Sequence, residues 1–168
     1  HPGTIRNYKG GAPCTKRLSC RLTSLKVSET VLRALPALVA AEGAVVLLHV
    51  VAPGRTRAVG DFVIFGALQE EQDRNAAMGY LKPVAAQLEQ MSVATSCAVA
   101  TSDSVAQCIA DFARTENADL IAMYTHARRG LSKLLWGSIA EAVQRSSSVE
   151  VRVFGPGEIA KMELEQIG

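Results

Sequence analysis

The sequence predicts an α/β fold: a parallel sheet, doubly wound, with helices on both faces. Three observations predict it. Strand-like and helix-like segments alternate through most of the chain in the order β-α-β-α-β-α-β-α-β, the pattern of parallel strands joined by right-handed crossovers. Residues 44–52 are apolar in succession except at His49, and a strand apolar on both faces belongs in a sheet covered on both sides. The chain is 48% hydrophobic but only 5% aromatic, which suits an aliphatic core and excludes a disordered chain.

At 168 residues the chain fits one domain, long enough to bury about two-thirds of its unfolded surface. Residues 1–19 have neither strand nor helix period and read as a flexible leader, 20–154 as the domain, and 155–168 as a tail or short helix. The first strand is expected over 20–25. Ser28 then caps a helix with Glu29 in its first turn. Val31, Leu32, Leu35, Leu38 and Val39 share one face of it, Pro36 interrupts it, and Gly43 ends it. The second strand is 44–52.

Residues 53–66, with Arg55 and Arg57, read as a loop. A long helix is expected over 67–91, weakened by Gly79 and Pro83. The third strand is 93–99. Asp103 is placed to cap a helix running to 116, with Val105, Ile109 and Phe112 inward. The fourth strand is 119–124, and Ser138 opens another helix. Val149, Val151 and Val153 alternate with Glu150 and Arg152, which predicts a last strand with one exposed face.

Composition narrows the function classes. A net charge of +2 is too small to mark a nucleic-acid binder by itself. No apolar run approaches the roughly 20 residues of a membrane span, and no apolar signal core opens the chain, so a cytoplasmic protein without membrane insertion is expected. Cys14, Cys20, Cys97 and Cys108 lack zinc-site spacing and read as reduced thiols. His126 has no acid or nucleophile placed with it, His49 reads as a core histidine, and Trp136 as packing beneath a loop. No catalytic residue and no metal site are expected.

The most informative stretch is residues 119–143. It reads as a buried strand, a basic loop carrying Arg128, Arg129 and Lys133, and a helix opening at Ser138. Ser138 and Glu141 have the spacing of a capping box. A helix N-terminus presents unpaired N–H groups and a positive dipole end, which favour anions.

Read as Tyr124-Thr-His-Ala-Arg-Arg-Gly130, then Gly137-Ser138, then Val149-Glu-Val-Arg-Val153, this region resembles the universal stress protein family. Leu47-Leu-His-Val-Val51 adds to the resemblance, which spans roughly residues 20–154. It implies an adenine nucleotide alpha hydrolase-like fold, a five-stranded parallel sheet of order 3-2-1-4-5, with a ligand crevice between the first and fourth strands. Nucleotide-binding members resemble one another in a Gly-x2-Gly-x9-Gly-Ser/Thr loop and in an Asp after the first strand. This chain keeps the spacing but has Tyr124 and Ala127 at the first two glycines and Lys26 at the Asp.

Glycine admits positive φ and lets backbone N–H groups approach phosphate. Tyr124 is therefore expected to fill the crevice, and Lys26 to remove an acceptor for ribose hydroxyls. The weak nucleotide or anion site is expected at Lys26, Val50, Met123, Tyr124, His126, Ala127, Arg128, Arg129, Gly130, Gly137, Ser138 and Ile139. No cofactor is fixed; the candidates are ATP, another adenine nucleotide, or a phosphate-like anion.

The resemblance also implies a homodimer through the last strand, at Val149, Glu150, Val151, Arg152 and Val153. The reading that follows is a non-enzymatic stress-response or regulatory protein acting on an unidentified protein partner. Its alternatives are an ATP- or AMP-binding stress protein with at most slow hydrolysis, and a regulatory domain of a larger protein such as a transporter.

Overall fold

The computed structural model describes residues 6–8, 16–21, 39, 43–124 and 138–154. Their elements run β1 (Arg6–Tyr8), β2 (Lys16–Arg21), β3 (Gly43–Val51), β4 (Arg57–Val59), β5 (Phe62–Ile64), α1 (Gly66–Gln90), β6 (Ala94–Thr101), α2 (Val105–Thr115), β7 (Ala118–Tyr124), α3 (Ser138–Ser146) and β8 (Glu150–Phe154). Of the helix expected from Ser28, with Pro36, only Val39 is described, in a bend and half-buried against the core; the helix expected in the tail lies outside the described residues, as do Cys14 and Trp136.

Six strands make one sheet in the order β1-β6-β3-β2-β7-β8. Strand β1 is antiparallel to β6, and every other pairing is parallel. The expectation of five strands, all parallel, is corrected by the addition of β1. The first parallel strand also starts earlier than expected, at Lys16 rather than Cys20, so β1 and most of β2 fall within the stretch read as a leader. Lys16, Arg17 and Arg21 disguise β2, because charged residues suggest a solvated segment. Its position between β3 and β7 makes it a strand, a case of pairing partners outweighing propensity.

Strand β3 organises the layers. Val45, Leu47 and Val51 belong to one core cluster, with Ala77, Leu81, Val84 and Leu88 of α1. Val46, Leu48 and Val50 belong to a second, with Ile109 and Phe112 of α2 and Ala140 and Val143 of α3. Successive residues of one strand thus feed opposite faces. Gly43, expected to end a helix, is the first residue of β3. His49 is half-buried in the same strand.

Helix α1 carries Pro83 in its interior. A proline there strips the residue four places back of its carbonyl partner; that residue, Gly79, is exposed, as is Pro83. The free thiol of Cys97 lies buried in the cluster on the α1 side. Burial first, and the Glu89 carboxylate second, push it up to about 11. It therefore stays protonated and a poor nucleophile at neutral pH.

Helix α2 starts one residue later than expected. Its N-cap is Ser104, not Asp103. The Ser104 N–H donates to Ser102 Oγ at 3.1 Å, while Asp103 pairs with Arg55 at 3.2 Å on the surface. Residues 53–66 are likewise more ordered than a plain loop, because β4 and β5 form a hairpin. Gly60 has φ of +59° at the first of the two turn positions, which suits a type II′ connection.

The neck of this hairpin is a backbone-on-backbone contact. A Cβ on Gly54 would collide with the Gly66 carbonyl, and one on Gly66 would lie 2.5 Å from the Gly54 carbonyl. The Gly66 N–H donates to Thr56 Oγ1 at 3.0 Å, and the Gly54 N–H to Glu70 Oε2 at 3.1 Å. Alanine at Gly54 is expected to lower stability by about 1–3 kcal/mol through overpacking. Alanine at Gly79, where a Cβ meets open space, is expected to raise it by about 0.5–1 kcal/mol. Urea midpoints of the two variants, moving in opposite directions from the parent, check both.

Candidate functional site

In a doubly wound sheet, ligands sit beyond the carboxyl ends of the strands where the winding reverses. Here the chain goes from β2 outward through β3 to β6, then restarts on the other side with β7 and β8. The reversal therefore lies between β2 and β7. Across it, Arg21 pairs in register with both Leu48 of β3 and Met123 of β7, and Met123 with Val153 of β8. Val50 stands two residues further along β3, about 7 Å beyond that row, opposite Ala100 of β6.

Val50 and Met123 face the same side. Both belong to the cluster on the α2 and α3 face, at 9% and 3% exposure, with Ala98, Ile109, Phe112 and Val143 among their companions. Strands β7 and β8 are parallel, so the crossover between them puts the start of α3 at the carboxyl end of β7. Its first turn holds Ser138 and Ile139, both exposed, followed by buried Ala140. Ser138 is itself helical. It stands inside the helix rather than at the cap position that the Ser-x-x-Glu spacing suggested, and Glu141 lies in the first turn, where a carboxylate favours the dipole.

Tyr124 is the last residue of β7 and still pairs in register with Phe154. The structure thus brings the backbone of Tyr124, the side chains of Val50 and Met123, and the Ser138–Ile139 turn to one end of the sheet. Lys26, His126, Ala127, Arg128, Arg129, Gly130 and Gly137 lie outside the described residues.

Strand β8 is an edge of the large sheet. Val153 is 5% exposed, and Val149 and Val151 pack beside it against the α2 and α3 face. The Val153 side chain therefore serves the core, and the edge presents backbone together with Glu150 and Arg152. Arg152 Nε donates to Glu150 Oε1 at 2.7 Å, with both side chains more than half exposed.

Sequence reading missed a polar network beside this end of the sheet. Arg74 Nη1 donates to Thr101 Oγ1 at 2.8 Å, and the Thr101 hydroxyl donates to Glu70 Oε1 at 3.0 Å. The other oxygen of Glu70 takes the Gly54 N–H. Helix α1, the loop that follows β3 and the end of β6 are thus tied at one point. The only local sign was Thr101 closing a strand; its partners lie 27 and 31 residues away. Among the described residues, no three His, Cys, Asp or Glu side chains are placed to hold a metal ion, and no helix is long and apolar enough to cross a membrane.

Comparison with known proteins bears on the same region. No curated protein matches the chain. Among solved structures, the hypothetical protein MJ0577 is 18% identical with a TM-score of 0.62, over 85% of this chain and 97% of that one. A universal stress protein in complex with cAMP is 12% identical, TM-score 0.55, over 85% and 98%. The universal stress protein from Archaeoglobus fulgidus in complex with dAMP is 16% identical, TM-score 0.52, over 84% and 98%. At these identities the likeness is one of fold. The sequence itself matches the universal stress protein family over residues 24–154. That match covers most of the chain, and the chain belongs to the universal stress protein family.

Proposed function

We propose that this chain is a non-enzymatic, cytoplasmic universal stress protein that works as a homodimer through protein contacts and holds nucleotide weakly or not at all. One observation carries the reading. Tyr124 occupies the position where the family's phosphate loop begins with glycine, and its backbone is still strand, paired with Phe154. A loop that cradles phosphate needs backbone N–H groups turned toward the ligand; a residue held in a ladder spends its backbone on its neighbour. Lys26 in place of an acid adds a second departure at the sequence level.

A second reading has its own support. Two proteins of the same fold are known in complex with cAMP and with dAMP, and Val50, Met123, Gly137 and Ser138 match the family's pattern. In that reading the site takes an adenine nucleotide, with Ser138 and the Arg128–Arg129 pair at the phosphates. A simple phosphate-like anion at the start of α3 lies between the two readings.

Calorimetry separates them. The parent protein is expected to show no saturable heat with ATP, AMP or cyclic AMP. A variant carrying Tyr124→Gly, Ala127→Gly and Lys26→Asp is expected to bind ATP at least about tenfold more tightly, or roughly 1.4 kcal/mol. Tight stoichiometric binding of ATP by the parent overturns the primary reading.

The dimer is carried by the open edge of β8. In an antiparallel pair centred on Val151, Glu150 of one copy faces Arg152 of the other, twice by symmetry. Glu150→Arg is expected to weaken association by about tenfold, since two like-charge pairs each cost roughly 0.2–1 kcal/mol. Adding Arg152→Glu restores it. Sedimentation velocity at micromolar concentration reads the outcome, and a monomeric parent removes the homodimer.

A further inference from the structure

A cavity of about 580 Å³ opens on the opposite face of the sheet from Val50 and Met123. Its walls are Ala67, Glu70, Glu71, Arg74, Asn75 and Met78, and its floor is Val99. The wall residues recur every three or four positions, so they form one face of α1 over three turns. Val99 is buried in β6 and pairs in register with Arg6 of β1. The volume lies within the range of small-molecule pockets, roughly 300–1,000 Å³.

The charged groups here are held rather than floating. Thr101, only 9% exposed, accepts from Arg74 and donates to Glu70. The second oxygen of Glu70 is fixed by the Gly54 N–H. The bond to Thr101 restrains the Arg74 side chain at the cavity wall before anything binds, which lowers the ordering cost of binding. Glu71 is exposed and lies three residues before Arg74, so the two side chains leave the helix about 5–6 Å apart. A cation and an anion on adjacent turns of one helix face, beside Met78 and Val99, suit a molecule carrying both charges close together and an apolar group.

We propose that this cavity binds a small zwitterion of the α-amino-acid type with an apolar side chain. Its carboxylate meets Arg74, its ammonium meets Glu71, and its side chain lies on Met78 and Val99. Glu70 supports Arg74 through Thr101. Nucleotides are disfavoured here, because their phosphates would face two carboxylates. The site is independent of the nucleotide reading, and its test does not depend on that reading's fate.

The test is calorimetry of the full chain with L-leucine and L-methionine, against isovalerate and isoamylamine, which each carry one of the two charges. One of the amino acids is expected to bind one-to-one with a Kd of about 1 mM or tighter, and the single-charge analogues at least tenfold more weakly. Glu71→Gln, an exposed substitution that leaves the Thr101 network whole, is expected to weaken amino-acid binding about tenfold. Met78→Trp, which fills the apolar end, is expected to abolish it, with thermal unfolding confirming that both variants fold. Failure of both amino acids to bind the parent, or affinity unchanged by Glu71→Gln, overturns the proposal.

Discussion

Strand β3 sets the terms for the rest of the molecule. Its residues are apolar in succession apart from His49, with Val45, Leu47 and Val51 toward one face and Val46, Leu48 and Val50 toward the other. Such a strand has no side that tolerates water, so helices must cover both. α1 covers one, and α2 with α3 cover the other. Once both faces are sealed, polar chemistry is confined to the strand ends and to the helix margins. The reversal between β2 and β7, the Thr101 network and the cavity beside α1 all lie where that confinement leaves room.

The elements that could be read without coordinates were those whose own side chains decide them. β3 announced itself by an apolar run interrupted only at His49, α2 by Ile109 and Phe112 on one face, and β8 by strict alternation. Elements decided by partners were harder. β2 carries Arg17 and Arg21, and it is a strand because β3 and β7 flank it. The β4–β5 hairpin does carry a local sign, Gly60-Asp61 between short runs of β-formers, inside the stretch 53–66 read as a plain loop. The Gly54–Gly66 contact joins positions 12 apart and follows from how the hairpin neck closes, which no spacing rule anticipates.

The candidate site divides along the same line. Residue types in a loop can be compared with a family pattern position by position, which is how Tyr124, Ala127 and Lys26 stood out. Whether a residue at the end of a strand lines a crevice or the core depends on register and on the helix above it. Val50 and Met123 prove to be packed with Ile109 and Phe112. Binding there would have to use what little of them remains accessible.

The two ends of the large sheet are unequal. At one end, among the described residues, β6 is bordered by β1, a strand of three residues, and so short a border offers a newcomer little to pair with. At the other end, among the described residues, β8 forms the border over five. Polymerisation by strand addition needs two receptive borders per molecule, one to receive and one to donate. In the dimer proposed above, a border that meets its own image closes the assembly, so pairing there does not propagate into a fibre.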